Sequence, residues 1–232
     1  LYCPLNAIAL KTKVEEGKRR RYSEIDFDEC VECSNCLLWS ECPTDSIYQQ
    51  ELVWPRILRS SFSSPLTSHK ETNIPSRATA EMKTNDVTGR FKSGYTGLAI
   101  EFGRPVLGAR LVDVEKMTTA LAPMGVKWEK ENPATSLMKN QATGEFKDDV
   151  LHEKVLSIII EFIVEERKLQ EVLAVVKKVS KEIATVFALD LITRLNPDGS
   201  VPTAPIIMKA GLAASPNGKG NIPLGRALAK EN

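Results

Sequence analysis

The sequence has no excess of charge of either sign. Lys and Arg total 31, Asp and Glu total 30, and the net charge is +1. Nothing global therefore points to nucleic acid or an anionic membrane as partner. Long apolar runs are also missing. The most apolar stretch, 155–164, is broken by Ser157 and Glu161, and a membrane-spanning helix needs about 20 apolar residues. No membrane span is expected. No secretory apolar segment opens the sequence, which makes the cytoplasm the expected location. There are only two histidines, His69 and His152. Each is lone, and neither is assigned a catalytic role. Gly103-x4-Gly108 lacks the Lys and Ser/Thr of a phosphate loop.

What is present is ordinary for a folded chain: 232 residues, 42% apolar and 26% charged. That length fits one large or two small domains. The cysteines are the informative residues. All five, Cys3, Cys30, Cys33, Cys36 and Cys42, fall within the first 42 positions. An odd number packed this way is a poor disulfide framework. The spacing is Cys30-x2-Cys33-x2-Cys36-x5-Cys42-Pro43, with Cys3-Pro4 upstream. Three thiolates at this interval can wrap one four-iron cube, each on a different iron, and the fourth iron needs a cysteine from elsewhere in the chain. Structural zinc prefers two separated Cys or His pairs, so the spacing favours iron–sulfur over zinc.

These residues resemble the bacterial-type ferredoxin family. The match covers about residues 1–50: Cys3-Pro4-Leu5-Asn6-Ala7-Ile8, Tyr22-Ser23-Glu24-Ile25-Asp26, Cys30 to Cys42, and Cys42-Pro43-Thr44-Asp45-Ser46-Ile47. The two Cys-Pro segments correspond to the family's two half-repeats. The chain departs from the pattern in its five-residue last gap, and its first half-repeat has no Cys-x2-Cys-x2-Cys before Cys3. The resemblance implies crossed ligation, with Cys3, Cys30, Cys33 and Cys36 around one [4Fe–4S] cluster and Cys42 a free or structural thiol. The local alternative takes Cys42 as the fourth ligand and leaves Cys3 spare. Leu37, Leu38 and Trp39 in the gap are expected to shield the cluster. A basic hairpin is expected around Gly17, with Lys11, Lys13, Lys18, Arg19, Arg20 and Arg21 as either a solvated tip or a docking surface for an acidic partner.

Residues 51–92 show little periodicity and are expected to form an extended linker. Within it, Arg77, Lys83 and Arg90 could bind an anionic ligand or reach a partner, or the run is a solvated connector. Residues 93–200 read as two βαβ units. Strands are expected at 95–102, 126–129, 155–164 and 185–195. Helical periodicity falls on Leu111–Leu121, stopped by Pro123 and Gly125, and on 169–183. The arrangement resembles the βαββαβ ferredoxin-like α+β sandwich of ACT-type regulatory domains, so the expected fold class is α+β. Both faces of strand 155–164 are largely apolar, which suggests that an oligomer or a partner covers the second. Arg104 and Arg110 flank the first helix and read as surface arginines or an anion site, and Glu101 and Asp113 read as single acids without a visible partner. Residues 201–232 read as an extended tail, packed on another subunit if ordered.

The parts together imply an iron–sulfur electron-transfer subunit of an oxidoreductase complex, in an anaerobic setting. It would relay single electrons to a catalytic or flavoprotein subunit and have no independent enzyme activity. Two alternatives are a redox-sensing regulator with a ligand-binding ACT-like half, and a structural subunit with a non-redox cluster.

Overall fold

The computed structural model describes residues 3–70, 73, 89–104 and 107–214. Arg77 and Lys83, and the tail beyond residue 214, lie outside the described residues.

The chain opens with a β-hairpin of β1 (Ile8–Glu15) and β2 (Lys18–Ile25). Glu16 and Gly17 both have positive φ, the backbone of a tight turn whose twist matches a two-stranded ribbon. The cysteine-bearing loop follows and ends in the short helix α1 (Asn35–Trp39). The segment expected to be extended contains a helix, α2 (Ile57–Ser63). Leu58 and Phe62, one turn apart, are both buried and join the main core. Pro55 lies just outside this helix, before its cap residue Arg56.

The larger part of the fold is α+β. A four-stranded antiparallel sheet is built from β3 (Tyr95–Phe102), β5 (Lys127–Trp128), β9 (Ile158–Glu165) and β10 (Phe187–Ile192), in the order β10-β3-β9-β5. Helix α3 (Leu111–Leu121) connects the first two of these strands and α5 (Leu169–Val179) the last two. Between β5 and β9 lie β6 (Met138–Asn140) and β7 (Glu145–Phe146), a small hairpin that the sequence pattern did not show. It is preceded by one helical turn, α4 (Pro133–Ser136). A two-stranded pair, β4 (Ala109–Arg110) with β8 (Lys154–Val155), closes the end nearest the cysteines.

Alternation along the strands sets the core. Leu98, Ile100 and Phe102 share one face with Ile158, Ile160, Phe162 and Val164. Val114, Met117 and Leu121 from α3 and Val172, Leu173 and Val176 from α5 cover that face, the helical spacing of an amphipathic stripe. Helix α3 ends as expected, with Gly125 at φ 74 after Pro123. On the opposite sheet face Phe91 packs with Ala99, Ile159 and Ile163, flanked by Tyr95 and Ile192. Gly97 makes room for it: a Cβ there would lie 2.5 Å from the Phe91 ring. Among the described residues, this face is thus covered in part by the chain itself. Among the described residues after 200, Ala204–Lys209 form helix α6. Ile206, Ala210 and Leu212 pack on the same core, so this stretch is helical and lies against the chain's own fold.

Among the described residues no helix is long and apolar enough to cross a membrane.

Candidate functional site

The two Cys-Pro segments fold alike. In the first, the Asn6 amide donates to the Cys3 carbonyl (3.4 Å) and the Ala7 amide to Cys3 Sγ (3.2 Å). In the second, the Asp45 amide donates to the Cys42 carbonyl (3.1 Å) and the Ser46 amide to Cys42 Sγ (3.4 Å). Asn6 (φ 55) and Asp45 (φ 51) occupy the left-handed region, which Asn and Asp tolerate better than other side chains because they hydrogen-bond locally. Each turn therefore aims one backbone N–H at a cysteine sulfur.

The loop between Cys30 and Cys36 uses the same device. Glu32 (φ 54) and Ser34 (φ 62) are left-handed residues on either side of Cys33. Alternation in the sign of φ turns successive amides toward one concave side. The Glu32 amide offsets part of the burial effect on the Cys30 thiol, and the Asn35 amide does the same for Cys33. Such backbone strain persists only where the surroundings hold it. Glu32 is held by Arg56, whose Nε and a terminal nitrogen reach one carboxylate oxygen at 2.8 and 2.5 Å.

Cys3, Cys30, Cys33 and Cys36 line one cavity, with Leu5, Ala7, Ile8, Ile25 and Val31 as apolar walls. No histidine or carboxylate is among the lining residues. Cys42 is not among them either. Of the five cysteines, the four of the crossed set line this cavity. All five cysteines are free of disulfides. Burial pushes the Cys30 and Cys33 thiols above their ordinary pKa, and the neighbouring Cys3 and Cys36 sulfurs raise Cys33 further. Cys30 and Cys33 therefore resist ionisation, and a bound cation reverses that preference. Cys42 goes the other way. The Thr44 hydroxyl, followed by the Ser46 and Thr44 amides, lowers its pKa to about 7.

Among the described residues, no group of three or more Cys, His, Asp or Glu side chains is placed to hold a metal ion. A single zinc ion requires its sulfurs to converge on one point at about 2.3 Å. All four cysteines line one cavity. A donor set of thiols alone, dry walls and amides directed at sulfur fit an iron–sulfur cluster, which spreads its ligands over separate irons.

The cysteine loop is bolted to the α+β part by ion pairs that the sequence reading missed. Arg59 on α2 is 4% exposed. One of its terminal nitrogens donates to the carbonyls of Phe27 (3.0 Å), Asp28 (2.8 Å) and Cys30 (2.7 Å), and its Nε donates to Glu153 at 2.5 Å. Arg110 reaches Asp28 at 2.6 Å and Glu29 at 3.0 Å. Lys154 also pairs with Glu29. Sequence carried one signal for this: Leu58 and Phe62 at i, i+4 after Pro55, with Arg56 and Arg59 at i, i+3.

Several other expectations change. Arg110 is engaged by Asp28 and Glu29, and Arg104 by Glu101 (3.0 Å), so neither reads as an anion site. Glu101 and Asp113 are not solitary: Arg104 pairs with the first and Lys116 with the second (2.8 Å). Arg90 meets Glu129 at 2.6 Å beside the second sheet face. Leu37, Leu38 and Trp39 are exposed and do not line the cavity, because α1 directs them to solvent instead. His69 is buried edge-on against Phe62, and the His152 carbonyl accepts from Arg110.

No family model matches the chain, and neither a curated protein nor a solved structure matches it.

Proposed function

We propose that the chain is an iron–sulfur electron-transfer protein that holds one [4Fe–4S] cluster on Cys3, Cys30, Cys33 and Cys36. It serves as a subunit that passes electrons to a catalytic or flavin-bearing partner. One observation carries this reading: Cys3 shares a single apolar cavity with Cys30, Cys33 and Cys36, while Cys42 stays outside it. Residues 1–50 then correspond to a ferredoxin-type domain. The sheet order β10-β3-β9-β5 and its connections support the βαββαβ ferredoxin-like sandwich for residues 93–200, with 51–92 as the connection and 201–232 as the tail.

The bound cluster would supply reversible one-electron storage. The chain's own part is to hold and insulate it. Four thiols surrender their protons on binding. The Ala7, Glu32 and Asn35 amides offset negative charge on the sulfurs of Cys3, Cys30 and Cys33. Apolar walls from Ile8, Ile25 and Val31 keep water away. Burial and amide bonds to sulfur are the groups that tune a potential.

The test is elemental analysis of anaerobically purified full-length protein, with EPR after dithionite reduction. About four irons and four acid-labile sulfides per chain with an S = 1/2 signal are expected. Stoichiometric zinc, or no metal under anaerobic reconstitution, refutes the reading.

A further inference from the structure

The β1–β2 hairpin stands out from the fold. Of its sixteen strand residues all are exposed except Ile8 and Ile25, paired at its root. Among the described residues neither strand pairs with any other strand. A lone two-stranded ribbon is marginal in water, and its open edges and faces invite a partner.

Its two faces differ. Antiparallel register places Lys11, Lys13, Glu15, Lys18, Arg20 and Glu24 on one side. There Lys11 pairs with Glu24 at 2.6 Å, Lys13 with Glu15 at 2.7 Å, and Lys13 also lies 5.5 Å from the Tyr22 ring centre. The other side carries Leu10, Val14, Arg19 and Arg21, with Thr12 and Ser23 between them and no acid. Leu10 is 63% and Val14 68% exposed. Among the described residues, Arg19 and Arg21 make no ion pair, and neither do Lys18 and Arg20 on the first side, so the exposed aliphatic pair is what sets this side apart. This side is also continuous with the cysteine cavity, because Ile8 and Ile25, on the same face, form part of its wall.

We propose that the Leu10–Val14–Arg19–Arg21 face is the docking surface for an acidic protein, which it seats beside the cysteine cavity. The identity of that protein as an electron-transfer partner rests on the function proposed above; the docking surface does not. Two exposed aliphatic side chains flanked by unpaired arginines have the apolar centre and charged rim of a protein interface. Long-range attraction of opposite charge would set the encounter rate. A second copy of the chain is a poorer occupant, since two-fold pairing of this face with itself opposes arginine to arginine. Two cations around an apolar centre are also few for a polyanion, whose affinity comes from many phosphate contacts.

The test titrates flavodoxin, an acidic protein used as the probe, into 15N-labelled full-length chain at low and high salt. Amide shifts are expected over residues 10–14 and 19–23 at low salt and are lost at high salt. Arg19→Glu with Arg21→Glu should weaken binding about tenfold or more. Lys18→Glu with Arg20→Glu makes the same change in net charge on the opposite face and should have less than about a third of that effect. Leu10→Ser with Val14→Ser should weaken binding with charge intact. Equal loss in the two charge-reversed variants, shifts outside the hairpin or none at all, or tighter binding of duplex DNA or phosphatidylglycerol vesicles to the same face overturns the proposal. Iron is measured on the same samples. A chain that docks without iron refutes the electron-transfer reading alone, and an iron-loaded chain that does not dock refutes the docking surface alone.

Discussion

Arg59 donates to the carbonyl of Cys30 at 2.7 Å from a position 29 residues later in the chain. The same guanidinium holds the carbonyls of Phe27 and Asp28 and the carboxylate of Glu153. One buried cation thereby fixes the entry of the cysteine loop against the α+β core. Replacing Arg59 with Met leaves three carbonyls without this donor and Glu153 without its cation. Breaking a buried pair from one side costs about 3–5 kcal/mol. A fall of that size in urea-unfolding stability is expected, together with reduced iron retention. Arg59→Lys should recover part of the stability, because it keeps the charge but not the planar fork.

Cys42 provides a second check. Its thiol is held at about pH 7 by the Thr44 hydroxyl and nearby amides. Thiolate is the reactive form, so alkylation of the native protein should rise through a midpoint near that value and label Cys42 alone. Thr44→Val should move the midpoint upward, toward an ordinary thiol. Rapid labelling of Cys3 or Cys33 in the iron-loaded protein would contradict the assignment.

The Asp28–Arg110 pair makes stability depend on acid. The Arg110 guanidinium holds the Asp28 carboxyl below its ordinary value of 3.8. A depressed carboxyl stabilises the fold above that ordinary value, and the contribution disappears as pH falls through the lower folded one. The urea midpoint should therefore drop in that acid range, and Arg110→Leu should flatten this part of the slope. Because Asp28 is exposed, high salt should shrink the effect.

Asn132 links two structural roles. Its side-chain oxygen accepts from the Ala134 amide at the start of α4, and its amide donates to buried Glu161 at 2.8 Å. Asn132→Ala removes a cap, worth about 1 kcal/mol, and leaves the buried Glu161 carboxyl without this donor, at a cost of about 1–3 kcal/mol. A combined loss of roughly 2–4 kcal/mol is expected in denaturant unfolding. Asn132→Asp should be worse than Asn132→Ala, since it keeps the cap but sets a second carboxylate against Glu161.

Local signals in the sequence translated well. The Glu16-Gly17 turn, the two Cys-Pro turns and the periodicity of β3, α3, β9 and α5 depend on neighbours within a few residues, and the α+β class followed from them. Long-range pairing was not legible. Arg59 with Glu153 and Arg110 with Asp28 span 94 and 82 residues, and no periodicity encodes such a match. Helix α2 was hidden because its two buried apolar residues supply too little pattern in a segment rich in Ser and Pro. Leu37, Leu38 and Trp39 misled for the opposite reason. Apolar character suggested burial, but a five-residue helix has no second element over it. The spacing of Cys30, Cys33 and Cys36 defined three candidate ligands. Spacing alone did not separate Cys3 from Cys42, because which of them shares the cavity depends on contacts between segments far apart in sequence.

That choice is the most direct test of the account. Iron and acid-labile sulfide should be measured in Cys3→Ala and Cys42→Ala proteins, each purified and reconstituted without oxygen. The account predicts that Cys42→Ala retains about four irons per chain and that Cys3→Ala loses at least one, with a changed or absent EPR signal. Full iron in Cys3→Ala with loss in Cys42→Ala would contradict the cavity as the cluster site.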